Sequence, residues 1–492
     1  MFERITPEQA GISSESVAEF ISYLERRGVI MHSVLLMKGD KLFGEYYWKP
    51  FHRDFCHRMY SETKSYVGVA IGLLEEEGKV NLDDKFLSYF PEKIEREELG
   101  YLSELTVREL LTMQTCSYCG SWFGNPQADL FDAYINKSGM KYPSGTRWEY
   151  DSAGSEMLTR IVEKITGMSF LDYLKKKLFN RMGTFKTAEV LKTPDGYSWG
   201  GSSLLCTPRD MMSFARFVMN YGTWEGKRLM NENYLREATK KQVSNNNGGF
   251  ENSQSQGYGY QIWCTEQGGF AFNGMGCQLA ICLPCKDLIF VCTADNQGNL
   301  SQKDLMFYGF FDYIANKMGK EPLPENKAGE KMLAEMTENL EIHHVSGDTT
   351  SSYADKINGK TFICNQNAQK IVKFSLHFDR DEGEFRYTNA QGDKILPFGI
   401  GKNVYGKFPQ YGYSEKFAGE VTSNGHLYDC GTSAAWLSDF QLGIRCQVID
   451  RFVGNLWMTF AFKGDAVTVS MVSNAEGFLG EYKGNFVAKI EK

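Results

Sequence analysis

The chain has 492 residues, 42% of them hydrophobic and 23% charged, with a formal net charge of −7. That length exceeds what one core usually supports and favours two domains, while 34 Phe and 26 Tyr argue against long disordered stretches. No block of basic residues offers nucleic acid an electrostatic footprint, and no apolar run is long enough for a membrane span.

The start, "MFERITPEQAGISSESV", has neither a basic n-region nor an apolar h-region, so a cytoplasmic location is expected. The 12 cysteines then read as buried free thiols of a reducing compartment. Cys116/Cys119 and Cys282/Cys285 are Cys-x-x-Cys pairs, but no histidine is close to either in sequence, and no metal is expected.

Apolar residues at helical spacing predict a helix over 15–26, and two β-rich runs around Lys38-Gly39-Asp40 predict a hairpin. The segment from Tyr66 to Leu74 is apolar nearly all round, which predicts a buried helix stopping near Gly78. Further helices are expected in "LTVRELLTMQT", "SEMLTRIVEKIT", "FLDYLKKKLFNRM" and "TPRDMMSFARFVMNYG", the last with Thr207 as N-cap and Pro208 at the first helical position. The polar stretch 242–256 reads as a mobile loop and a candidate lid. "YGYQIWC", "FAFNG", "CQLAICL" and "DLIFVCT" then read as short strands. Strands at both ends of a helical middle predict an α+β domain over 1–325, its sheet drawn from both sequence ends. Residues 326–345 read as a linker and helix. Residues 346–492 alternate apolar and polar, clearest in "AVTVSMV", and predict an antiparallel β domain and candidate barrel.

Ser61 and Lys64 stand three apart just ahead of the buried helix. A serine at a helix start has unpaired backbone N–H groups beside it, and a residue three further on shares its face. A desolvated lysine there can take the serine's proton. The plain alternative is a capping serine followed by a solvated lysine. A second Ser-x-x-Lys, Ser138 to Lys141, is broken by Gly139 and Pro143. Gly196-Tyr197-Ser198-Trp199-Gly200 matches a nucleophile elbow literally, but turn-like sequence surrounds it and no strand or helix is predicted on either side. Between His57 and His343 there is no histidine, which leaves a Ser-His-Asp triad little to draw on.

"MYSETKS", followed by the buried helix and "GKVNLDDKFLSYFPE", resembles the serine β-lactamase and penicillin-binding-protein family in its class C and esterase branch. "LTVRELLTMQT", "YPSGTRWEYDSAGSEMLTRIVEKITG" and "GGSSLLCTPRDMMSFARFVMNYGTWEGKRLM" resemble later landmarks, in order, to about residue 315. The resemblance implies that Ser61 is the acylated nucleophile and Lys64 the amine that takes its proton. It implies that Tyr150 is the second member of the base pair and the proton donor to the leaving group, and that Ser152 contacts substrate. The family's third motif, a Lys-Thr-Gly or His-x-Gly strand, is matched by Phe272-Asn273-Gly274, without a cation. Gly274 and Met275 could still supply a backbone N–H to an oxyanion. Lack of the cation weakens the penicillin and cell-wall readings.

Tyr118, Trp122, Phe123, Trp148, Tyr197, Trp199 and Trp263 are candidates for an apolar acyl pocket, core packing being the plain alternative. The expectation is a cofactor-free serine hydrolase acting on a small ester, amide or peptide, without nucleic-acid or membrane partners. Alternatives are a D-amino-acid peptidase, an acyltransferase, a residual β-lactamase, or a sensor that no longer turns over. The C-terminal domain is a candidate for shaping the cleft or for homo-oligomerisation.

Overall fold

The computed structural model describes residues 2–93, 99–116, 129–137, 142–249, 251–412, 426–475 and 477–491. The chain divides into two compact units, with the boundary between Glu341 and Ile342.

In the first unit, β1 (Glu3–Arg4), β2 (Met31–Lys38) and β3 (Lys41–Tyr47) come from the start of the chain. β4 (Trp263–Thr265), β5 (Gly269–Gly274), β6 (Gln278–Leu283) and β7 (Leu288–Ala294) come from its far end. The sheet runs β1-β3-β2-β7-β6-β5-β4. Every pair is antiparallel except β1 with β3. The two sequence ends meet where Leu35 opposes Val291. β5, β6 and β7 are buried along their whole length, as expected for strands covered on both faces.

Both coverings are helical. α1 (Ser14–Arg26) starts at the Ser13 cap and sets Phe20 edge-on to Phe290 of β7. α2 (Thr63–Glu76) is buried through its first twelve residues, and Gly78 beyond it has φ 67°. It packs against α3 (Ser152–Thr166). α4 (Pro208–Met219) begins with a capping box between Thr207 and Asp210 and packs on β6 and β7. α5 (Leu300–Gly309) continues through Phe310–Ala315, whose Phe310 stacks on Phe290. Of "YGYQIWC" only Trp263 onward is strand, because Gln261 sits in the left-handed region at φ 59° and turns the chain. Among the described residues no helix is long and apolar enough to cross a membrane.

The second unit is a closed barrel. Nine strands run Gly392–Ile400, Glu382–Asn389, Lys373–Asp379, Thr361–Cys364, Gly484–Ile490, Ala466–Asn474, Gly454–Lys463, Gln441–Val448 and Leu427–Ser438. The last returns to the first through the parallel pairs Gly399 with Ser433 and Ile400 with Ala434. Val404–Tyr411 is an outer strand on Leu427–Ser438. Closure removes the free edges that an open sheet would expose. In Ala466–Asn474 Val467, Val469, Met471 and Ser473 are buried, and the alternate positions are not. The interior is aromatic: Phe374 contacts Phe362, Phe385 and Phe460, while Trp436 lies against Phe378 and Phe462. Trp436→Ala should destabilise the barrel by about 3–5 kcal/mol through the cavity it leaves. A urea melt followed by near-UV circular dichroism would read this as a lower midpoint for the barrel.

Candidate active site

Three sequence-distant segments meet at the start of α2. The approach is strained: Tyr60 has φ 50°, a left-handed backbone costing a non-glycine residue about 1–2 kcal/mol. Arg58 holds it there. Its buried guanidinium lies 4.4 Å from the Tyr60 ring centroid and 4.6 Å from that of Trp199, and donates to the Ser202 carbonyl (2.9 Å) and hydroxyl (3.0 Å). Ser61 follows in a single 3₁₀ turn, Tyr60–Glu62, that feeds α2. The first bond of that turn runs from the Glu62 N–H to the Met59 carbonyl (3.2 Å), which leaves the Ser61 N–H at its open end.

Lys64 sits one turn on and is 2% exposed. Its Nζ donates to Ser61 Oγ at 3.0 Å and to the Gly201 carbonyl at 2.7 Å, which gives a buried ammonium two acceptors. Tyr150, two residues before α3, has its ring centroid 5.0 Å from Lys64 Nζ, and it stacks on Trp263 at 5.7 Å. Ser152 opens α3, with its backbone carbonyl against Gly201. So Ser61, Lys64 and Tyr150 converge, with Ser152 alongside.

The third-motif segment lies at the end of β5. Phe272 is buried against Phe214 of α4 at 5.1 Å, so that position faces the core. Asn273 faces the other way and donates from Nδ2 to Gln254 Oε1 (3.1 Å), while Gln254 Nε2 donates to Asp304 of α5 (2.9 Å). A carboxylate only accepts, which fixes both amide orientations and leaves Asn273 Oδ1 buried without a partner among the described residues. Gly274 meets the nucleophile segment directly. A Cβ there would lie 2.2 Å from the Met59 carbonyl oxygen, so only glycine permits this approach. The Met275 turn beyond it is braced by Gln278, whose Nε2 donates to the Met275 and Ala294 carbonyls and whose Oε1 accepts from the Ala294 N–H.

Described residues of the 242–256 stretch make specific hydrogen bonds: Gln254 bridges β5 and α5, Asn245 Nδ2 donates to the Gln254 carbonyl, and Asn247 Nδ2 reaches the Trp148 carbonyl. Composition marked its polarity but not these partners. Of the expected aromatic lining, Trp263 stacks on Tyr150 and Trp148 packs on Trp263 and Tyr258, whereas Trp199 and Tyr197 stack on Arg58 and Arg160. Tyr118, Trp122, Phe123, Cys119, Ser117 and the Ser138–Lys141 pair lie outside the described residues. Ser198 is buried in irregular chain, with its N–H on Glu163 and no helix until Pro208. Cys116 and Cys282 are buried free thiols, and Cys285 is exposed.

Three carboxyls around the site are fully buried. Burial pushes Glu62, the residue after Ser61, up to about 8, with only the Tyr66 hydroxyl (3.3 Å) pulling it back. Burial also pushes Asp151 up to about 6, opposed by the Gly154 N–H and by hydrogen bonds from Thr115 and Tyr134. Glu156 is pushed up to about 8 by the same cause, against the N–H groups of Gly201 and Gly200 and the charges of Arg160 and Lys64. Sequence reading missed Arg58, Glu156 and Gln254. The available signal for Glu156 was a charged residue among Ala153, Met157, Leu158 and Ile161 on a buried helix face.

A model of the Beta-lactamase family matches residues 18–307. The 6-aminohexanoate-dimer hydrolase of Paenarthrobacter ureafaciens is 23% identical over 290 residues, 55% of this chain and 74% of that protein. Penicillin-binding protein 4* of Bacillus subtilis (strain 168) is 28% identical over 151 residues, 28% of this chain and 32% of its own. The solved structure "Putative 6-aminohexanoate-dimer hydrolase from Bacillus anthracis" superposes with a TM-score of 0.53 at 19% identity, covering 66% of this chain and 89% of that one.

The buried Glu62 gives the fold a pH signature. Its carboxyl ionises more readily in the unfolded chain, near 4.5, than in the folded one, near 8. Stability from this group is therefore full below about 4.5 and lost as pH rises to about 8. Glu62→Gln should flatten part of that decline, read as a smaller fall in Tm between pH 5 and pH 8 than in wild type.

Proposed function

The chain belongs to the Beta-lactamase family, and we propose that it is a serine hydrolase that cleaves a small ester or amide through an acyl-enzyme on Ser61. The observation that carries this reading is Lys64 Nζ, 3.0 Å from Ser61 Oγ and buried with the Gly201 carbonyl as its second acceptor. In the reaction Lys64, as free amine, takes the Ser61 hydroxyl proton while Oγ attacks the substrate carbonyl carbon. The N–H groups of Ser61 and Met275 receive the oxyanion, and Gly274 lets β5 approach closely enough for this. Tyr150 passes a proton to the departing alcohol or amine, and its ring beside Lys64 suits that exchange. Lys64 hands its proton on to Tyr150; water then attacks the acyl carbon and gives a proton to the base pair, which passes it to Ser61 Oγ as the acyl–Oγ bond breaks and the acid leaves.

The relative named for hydrolysing a 6-aminohexanoate dimer supports an amide in the substrate class, since two amino acids join through one. Phe272 facing the core leaves β5 without the cation that would hold a penicillin carboxylate, which favours linear esters and amides over β-lactams. A sensor that acylates without turnover is the second reading, motivated by that same altered strand. Intact-protein mass after a fluorophosphonate should show one adduct on wild type and none on Ser61→Ala. Lys64→Ala and Tyr150→Phe should lower kcat/KM for a p-nitrophenyl ester by about 10²–10⁴-fold. Labelling that survives in Ser61→Ala would place the nucleophile elsewhere, and a stable acyl adduct without ester turnover would favour the sensor.

A further inference from the structure

Behind Lys64 stands a carboxyl that the reaction as written does not use. Glu156 lies one helical turn after Ser152 on α3 and is 1% exposed. Its two oxygens accept from consecutive backbone N–H groups: Oε1 from Gly201 at 2.8 Å and Oε2 from Gly200 at 3.2 Å. The carbonyl of the same Gly201 accepts from Lys64 Nζ at 2.7 Å. Residue 201 is thus gripped on its N–H side by α3 and on its carbonyl side by α2.

The grip has no slack. A Cβ on Gly200 would lie 1.6 Å from Thr159 Oγ1, and one on Gly201 would lie 3.1 Å from Glu156 Oε1. Arg58 fixes the next residue, Ser202, and the Leu204 N–H donates to Thr63 Oγ1 at 3.1 Å. A second α3 carboxyl, Glu163, accepts from the Ser198 N–H at 3.0 Å, but Glu156 is the one that takes the N–H of residue 201 itself, whose carbonyl holds Lys64. The charged groups facing Glu156 are Lys64 from α2 and Arg160 from its own helix, and Arg160 is occupied by Asp195 at 2.7 Å.

We propose that Glu156 is the positioning residue for Lys64: it holds the Gly201 carbonyl where that oxygen fixes the lysine amine against Ser61 Oγ. This inference rests on the reading of Ser61 and Lys64 as nucleophile and base. Without the carboxyl, the Gly201 N–H loses its acceptor while that of Gly200 keeps only the Ser198 carbonyl (2.9 Å), the loop shifts, and the ammonium form of Lys64 loses one of its two acceptors. The amine then aims less well at Ser61 and holds its proton less firmly. The two effects have different signatures: a lower kcat, and an acid limb of the rate profile displaced to lower pH.

Glu156→Ala and the milder Glu156→Gln, which keeps one acceptor oxygen, would be compared with wild type by p-nitrophenyl ester kinetics from pH 5 to pH 10. Fluorophosphonate mass labelling and a thermal melt would accompany each. The expected result is a kcat about 10²-fold lower in Glu156→Ala, a smaller loss in Glu156→Gln and a KM within about twofold of wild type. The acid limb should move to lower pH in the order wild type, Gln, Ala. An unmoved limb, with kcat falling only in step with the folded fraction, would overturn the proposal and make Glu156 a scaffold residue. If Glu156→Ala does not fold, Glu156→Gln carries the same pair of outcomes. Wild type that fails to label at Ser61 would overturn the hydrolase reading as well, which separates the two failures.

Discussion

The first unit is organised around the buried amine of Lys64. A polar group taken out of water costs free energy unless its hydrogen bonds are made, so Lys64 can sit at 2% exposure only where acceptors are already in place. Ser61 Oγ and the Gly201 carbonyl are those acceptors, and they belong to segments 140 residues apart. Holding them together demands the contact of α2 with α3, the clasp of Arg58 on Ser202, and two glycines that let a backbone pass between helices. The strain at Tyr60 belongs to the same account. A left-handed residue just before Ser61 is tolerated because Arg58, stacked on Tyr60 and Trp199, over-determines its position.

The β5 side obeys a different constraint. There the contribution is backbone, and what matters is how closely two chains approach. Gly274 lies against the Met59 carbonyl, so any side chain at 274 would separate the strand from the nucleophile segment. Side-chain identity at 272 is correspondingly free to change, and here it has been given to the core, against Phe214. A strand can thus lose its cation and keep its place beside the nucleophile, because the close approach needs only a bare backbone at Gly274 and not any particular side chain at 272.

Much of this was legible in the sequence, and the residues show why. Helices α1 to α4 were visible because their apolar periodicity, caps and stop glycines are local signals, as at Thr207-Pro208 and Gly78. The pairing of β2 with β7 was legible only as an order of elements, since register depends on partners more than 250 residues away. The barrel's alternation was plain in Ala466–Asn474, but its closure rests on two parallel pairs that no single strand announces. At the site, Ser61 and Lys64 carry a spacing. Arg58, Glu156 and Gln254 carry none, because each works through a backbone or amide group brought to it by folding. Gln261 is a similar case: its left-handed turn ends the expected strand, and its side chain joins Ser155 of α3 to the Leu110 and Leu111 carbonyls.

The buried carboxyls show where local and global requirements part company. A folded chain selected for stability alone would not place Glu62, Asp151 and Glu156 out of reach of water within a few residues of Ser61, Tyr150 and Ser152, since each prefers the unfolded state once it can ionise. They differ in what they receive in return. Glu62 has one weak hydroxyl partner and, among the described residues, no partner for its other oxygen. Asp151 stands just before α3 without a capping hydrogen bond and takes hydrogen bonds from Thr115 and Tyr134. Only Glu156 has both oxygens occupied by backbone donors, and those donors lead straight to the atom that holds Lys64. Burial cost is therefore a poor guide to importance among the three. The partner groups discriminate: a carboxyl that orders a backbone touching the reacting side chains transmits its position to them, while one that touches a lone tyrosine does not.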